Sequence, residues 1–360
     1  MDHAAMPEAE HGGHTTTGAL GRYPMTRESS GTAWQPDTSE HMGLMTNAGD
    51  WTLMAHGVVN LVYDHQSGPR GDDMIFPSGM LIGMARRPLG NGALQFKAML
   101  SPDPLMGKRG YPLLLASGET ADGITPLIDR QHPHDFFMEL SASVSQTIGA
   151  KGSIFLYGGL PGEPAFGPPA FMHREAILDS PEAPITHHWL DSTAVRLSWN
   201  PTRTLSLQGS WGDFKEPEQL EPGVDQKRWS ASALWADEVA PGWKAAGTLA
   251  WGRKSIEEHG EWLHDDAFAA EASLKHRGWT LFGRGEITEN RELVGGGEHG
   301  EAHSVGKVSI GAVRDFRIAE HLSFGAGGLF AMSFVPRALE EAYGASNPVG
   351  AMAFVRLRLD

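Results

Sequence analysis

Apolar residues recur at every second position through most of this chain, the period required of a strand whose two faces meet different surroundings. The clearest run has Phe136, Met138, Leu140, Ala142 and Val144 on one side and Phe137, Glu139, Ser141, Ser143 and Ser145 on the other. The same alternation predicts strands at Trp51–Tyr63, Met80–Arg87, Ala93–Leu100, Phe136–Thr147, Ser153–Gly159, Ser192–Trp199 and Leu205–Trp211. It continues at Trp229–Trp235, Trp243–Arg253, Ala267–His276, Trp279–Ile287, Ser304–Arg314, Leu322–Phe334 and Gly350–Leu359, about fourteen strands in all. One face is apolar, as in Leu94, Phe96 and Ala98 or Val195, Leu197 and Trp199. The other carries Gln95 and Lys97, Glu271 and Lys275, Arg284 and Glu286, or Arg356 and Arg358.

Short connections such as ValAlaProGly, HisArgGly and IleAlaGluHis alternate with longer polar ones at Asp213–Arg228, Lys254–Asp266, Thr288–His303 and Val335–Val349. Short turns at one end, long loops at the other and an even strand number predict an all-β antiparallel transmembrane β-barrel of the bacterial outer-membrane type. Its lipid would be the first partner, and both termini would face the periplasm. Trp51, Trp199, Trp229, Trp243, Trp251 and Trp279 fall near strand ends, where interface girdles belong. Alternation alone leaves open a soluble barrel or sandwich, because it does not say which face looks inward.

Composition agrees with many strands and turns: 45 Gly, 11 Trp, no Cys and 20% charged residues in 360. No segment has the roughly 18–20 apolar residues of a membrane helix, and a mean hydropathy of −0.29 is what alternating strands produce. A formal charge of −15 argues against nucleic acid as a partner. The absent cysteines exclude disulfides and thiolate metal sites. Residues 1–47 lack periodicity and read as a flexible arm dotted with His3, Met6, His11, His14, Met25, His41, Met42 and Met45; residues 48–360 form the barrel. Met1 opens directly onto AspHisAlaAla, so a mature form without its export signal is expected.

Candidate chemistry concentrates in two excursions, Ser101–Asp135 and Leu160–Asp191. They hold His132, His134, Asp135, Met172, His173, His187 and His188, with Asp129, Glu175, Asp179 and Asp191 nearby. Met54, His56 and Met99 fall on the polar face of the first and third strands. Imidazole and thioether donors together favour copper over magnesium or calcium. In a meander the strands at Phe136 and Ser192 would both pair with Ser153–Gly159, bringing the excursions to within about 10 Å. Excursions of this length are usually functional and often fold inward as a plug. Parity places His132 and His134 on the lipid side with Phe136, so reaching the lumen requires the chain to twist at Pro133. No catalytic motif is legible: no nucleophile elbow surrounds Ser117, and GlyGluThrAlaAspGly has no phosphate-loop context.

Over GETADGITPLIDRQHPHDFFMEL and FMHREAILDSPEAPITHHWLDS the chain resembles a family of largely uncharacterised Gram-negative outer-membrane β-barrel proteins, often encoded among copper and heavy-metal resistance genes. The resemblance runs from about Met25 through the second excursion. It implies outer-membrane location and a metal connection at His132, His134, Asp135, Met172, His173, Arg174, His187 and His188. The expectation is therefore a non-enzymatic barrel that binds or passes transition-metal ions, copper first among them, with a periplasmic metal-handling partner reached through the arm. The alternatives are a general porin for small solutes with structural loop histidines, and an outer-membrane enzyme that uses a loop metal to activate water.

Overall fold

The computed structural model describes residues 18, 23–29, 33–40, 43–149, 152–160, 179–190, 195–258, 260–294 and 297–359. All fourteen alternating segments are strands, most of them longer than the alternation alone marks out. They are β1 Trp51–Gln66, β2 Asp73–Leu89, β3 Gly92–Leu100, β4 Phe137–Ile148, β5 Gly152–Leu160, β6 Val195–Trp199 and β7 Leu205–Phe214. The second half comprises β8 Gln226–Ala240, β9 Trp243–Glu258, β10 Glu261–His276, β11 Trp279–Asn290, β12 His303–Ala319, β13 Leu322–Phe334 and β14 Val349–Leu359. Neighbours in sequence pair antiparallel except β5 and β6, and β14 returns to pair with β1, Leu359 opposite Gly57 and Gly350 opposite Gln66. At the short-turn end the β10–β11 hairpin has Arg277 and Gly278 both left-handed, φ 49° and 78°. That geometry matches the strand twist in a two-residue turn.

Which face looks inward is now decided. Leu61, Leu81, Phe96, Leu140, Leu156, Leu197, Leu249, Leu281, Ile310 and Phe330 are exposed on the outside. Asn60, Ser78, Ser141, Ser143, Gln208, Ser230, Glu271, Arg284, Lys307 and Arg356 are buried on the inside. An apolar exterior around a polar interior is the reverse of a soluble barrel, and strands of up to 17 residues exceed the 9–11 needed to cross a bilayer. The wall is that of a transmembrane β-barrel. Trp199, Trp243, Trp279, Phe316 and Phe324 remain exposed near the short-turn end, an aromatic girdle in which Trp243 stacks on His276 at 4.1 Å.

Four expectations need correction. Lys254–Asp266 is not a long loop: β9 and β10 run on as a ladder to Glu258 opposite Glu261, because Ser255↔His264 and Ile256↔Leu263 continue the pairing. Among the described residues no ladder joins β5 to β6, so the Ser192 strand does not pair with Ser153–Gly159 there. Parity across Pro133 is reset by a bulge. Met99 opposes Glu139 while Leu100 opposes Phe137, so Met138 is the extra residue and packs on the inward cluster of Met80, Ile82 and Met99 instead of facing lipid.

The arm is the fourth. Its described part is packed, not solvated: Met25, Ala33, Gln35 and Ser39 are all buried. Gln208 Nε2 donates to the Trp34 carbonyl at 2.5 Å and Arg86 Nη2 to that of Gly18 at 2.5 Å, while Thr38 N donates to the Arg203 carbonyl at 3.1 Å. These partners sit on β2, β7 and the β6–β7 turn, so the arm crosses the lumen at its short-turn end. Next along the chain, Leu44–Ala48 forms a hairpin with β1, Ala48 opposite Trp51.

Candidate functional site

The lumen wall positions two inward-folded loops. The first, between β3 and β4, pushes Tyr111, Leu113, Leu114, Leu115 and Ala116 into the barrel, where they pack on Phe76, Phe282, Val305, Val313, Leu329, Met352 and Phe354. Each fully buried leucine is worth about 1.5–3 kcal/mol, so an apolar sequence inside a polar wall acts as the hook. Asp129 fastens its return. The Asp129 carboxylate accepts from Leu115 N at 2.8 Å and Tyr343 Oη at 2.9 Å, and Arg70 Nε lies 2.6 Å away. Burial pushes the Asp129 carboxyl above the ordinary range, more than Arg70 and these donors pull it back. Leu115 and Asp129 are both left-handed, φ 73° and 55°, and the bond between them holds that unfavourable backbone in place.

The second loop, between β5 and β6, is described over 179–190 and is fastened by charge. Lys307 Nζ lies 2.5 Å from Glu182 Oε1, and Arg284 Nη1 donates to the Glu182 carbonyl at 3.1 Å. Thr186 donates to Glu286 Oε1 from its amide at 3.2 Å and its hydroxyl at 2.8 Å, and Arg284 Nε donates to Glu271 at 2.8 Å. Burial pushes the Glu182 carboxyl up, but Lys307 and then Arg284 outweigh it and hold it below the ordinary range. Beyond this latch Lys254 Nζ sits 5.0 Å over the Trp189 ring, and Leu190 packs on Ala250 and Ala269. The two loops touch each other where Ala183 N donates to Tyr111 Oη at 3.0 Å.

Where the loops face the long-loop end they enclose a chamber of about 1140 Å³ lined by His132, His134, Asp135, His187 and His188, with Lys108, Asp122, Glu218 and Arg228 at other points of its wall. Five of the residues singled out from sequence therefore share one space. His132 and His134 stand 5.3 Å apart by ring centroids, and His187 and His188 stand 4.1 Å apart. His134 Nδ1 is 2.6 Å from Asp103 Oδ2. The Nδ1 atoms of His132 and His187 face carbonyl oxygens, Pro133 at 3.1 Å and Pro184 at 2.8 Å. A carbonyl can only accept, so those Nδ1 atoms carry the proton and a neutral ring presents its lone pair at Nε2, the form a metal takes.

Met54 and His56 do lie on the lumen face, but not with these histidines. They sit toward the short-turn end, where Met54 opposes Met84, His56 opposes Ile82, and both lie beside Gly43. Met172 and His173 lie outside the described residues. Among the described residues no three His, Asp or Glu side chains gather closely enough to cage a metal ion. Sequence reasoning did not single out the latch residues Glu182 and Lys307. The available signal was a lysine and an arginine on consecutive lumen-facing strands, Arg284 and Lys307, facing an excursion with an acid to offer.

No family model matches the chain. No curated protein matches it either. Among solved structures it is similar to an anion-selective porin from Comamonas acidovorans, with 11% identity, 86% of this chain and 100% of that one covered, and a TM-score of 0.43. It is similar as well to OmpT, an outer-membrane protein of Vibrio cholerae (9% identity, 88% and 100% covered, TM-score 0.43), and to OccK5 (OpdH) of Pseudomonas aeruginosa (9% identity, 85% and 98% covered, TM-score 0.39).

Proposed function

We propose that the protein is an outer-membrane channel of porin type for small polar solutes, with its path narrowed by the two inward loops. The carrying observation is the pairing of an apolar exterior with a polar, charge-lined interior that opens at the long-loop end into a chamber of about 1140 Å³. A wall of this kind has no use for buried Ser, Gln, Arg and Lys along most of its height unless water and polar solutes occupy the lumen. Short turns at the end where β1 begins and β14 finishes, long loops opposite and an apolar exterior support a bacterial outer membrane. Reconstitution into planar bilayers tests the reading. Discrete current steps from the purified, folded protein are expected, and a folded barrel that carries no current in any state sinks it.

A second reading, transition-metal cargo, is favoured by the two histidine pairs on the chamber. His132, His134, His187 and His188 would hold the ion, and copper suits imidazole donors. Elemental analysis of protein extracted from metal-exposed outer membranes, beside a His132→Ala, His134→Ala variant, tests it. Near-stoichiometric metal that falls in the variant supports this reading; background metal in both removes it.

A further inference from the structure

We infer that Lys244 and Lys275 form a carboxylate-binding subsite at the short-turn end of the lumen, occupied from within the chain by Glu40 of the arm, and that a small anionic solute competes with Glu40 for it. The inference deepens the channel reading and rests on it for its biological meaning.

The two lysines are a directly opposed cross-strand pair on β9 and β10. Like charges in that position repel, and a wall gains nothing from placing them there unless an anion lies between. Glu40 supplies it: Lys244 Nζ is 2.6 Å from Oε1 and Lys275 Nζ is 3.6 Å from Oε2, so each ammonium takes one oxygen of a single carboxylate. Lys275 Nζ also lies 3.4 Å from Asp179 Oδ1, a buried residue of the second loop. The plug entering from one end and the plug entering from the other therefore meet on one ammonium. Lys275 is mostly buried and Lys244 is half exposed, which leaves the subsite open toward the short-turn end.

The arm behaves as a tethered competitor. Held in place by the packed arm, Glu40 competes at an effective concentration of at least the order of millimolar, so a free carboxylate must reach that concentration to displace it. Displacement removes one of the contacts that hold the arm across the lumen and leaves the Lys275 pair with Asp179 in place. An anion moving through the barrel thus loosens the arm at the short-turn end.

The experiment uses the full chain and succinate as the probe, read by titration calorimetry in detergent and by conductance in planar bilayers. Glu40→Gln is expected to bind succinate about tenfold more tightly, since the internal competitor is gone, and to raise the open probability several-fold. Lys244→Gln with Lys275→Gln should abolish succinate binding and lower the anion-over-cation permeability ratio; Glu40→Gln and Asp179→Asn are made in the same chain, so that no carboxylate is stranded and the barrel folds. Succinate binding that is unchanged in Glu40→Gln, or that survives loss of both lysines, overturns the subsite. If no variant conducts while binding follows the expected pattern, the subsite stands and the channel reading fails.

Discussion

Replacing Lys307 by Met tests the latch on the second loop. Lys307 is about 1% exposed, and its ammonium is 2.5 Å from Glu182, whose side chain is equally buried. The cluster holds three acids, Glu182, Glu271 and Glu286, against two bases, Arg284 and Lys307. Removing Lys307 leaves three acids with one base, whereas Glu182→Gln leaves two with two. The first change should therefore cost much more. Stranding one partner of a buried pair typically costs about 3–5 kcal/mol. Glu182 can instead take up a proton, which at pH 7 costs about 3.7 kcal/mol for a carboxyl of ordinary pKa near 4.3 and caps the loss. Undocking returns Glu182 to water, so the cost falls on loop docking and not on the strand ladder. A loss of about 3–4 kcal/mol corresponds to a few-hundred-fold rise in the undocked population, since 1.4 kcal/mol is a factor of about ten. Hydrogen exchange of the peptide spanning 179–190 reads it directly, through the Ala183 and Thr186 amides bonded to Tyr111 and Glu286. Protection in Lys307→Met equal to that of the parent, or a larger loss in Glu182→Gln than in Lys307→Met, would refute the charge-count argument.

The two loops should respond to acid with opposite signs. Glu182 is held below the ordinary range, so its contribution is present above about pH 4.3 and is lost as pH falls through its lower folded value. Asp129 is pushed above the ordinary range, so docking of the first loop strengthens as pH falls through its folded value toward about 3.9. Hydrogen exchange should show 113–116 gaining protection as pH falls from 7 toward 4, and 179–190 keeping its protection down to about pH 4.3 and losing it below; a loss at 113–116 over that range, or a loss at 179–190 already complete above about pH 4.3, would count against the assignment. Tyr343→Phe removes a donor to a buried carboxylate and should weaken the first loop by about 1.5–3 kcal/mol, measured on the same 113–116 peptide. Leu249→Arg, on an outward side chain 65% exposed, should destabilise folding into vesicles by about 2–4 kcal/mol, whereas a soluble barrel would tolerate it.

Strand count and position were legible because a barrel wall between lipid and water imposes a period of two on every crossing, and local alternation records it. Ser141, Ser143 and Ser145 against Leu140 mark two faces whatever lies beyond them. The direction of those faces was not local information: apolar-outside follows only from which side chains the assembled wall buries. The β9–β10 hairpin was misread because Lys254, Glu257 and Glu261 look like loop residues, yet strands that extend past the membrane carry charge freely. The histidines of the two excursions were found by density of residue type, and their shared chamber depended on how the two loops fold back into the barrel, which strand parity does not reach because residues 132–136 are not strand. Sequence by itself determined the wall, since each strand answers to its own two environments. The plugs, the Glu182–Lys307 latch and the lysine pair around Glu40 were decided by tertiary structure alone, because each joins residues far apart in the chain that acquire partners only when the wall folds around them.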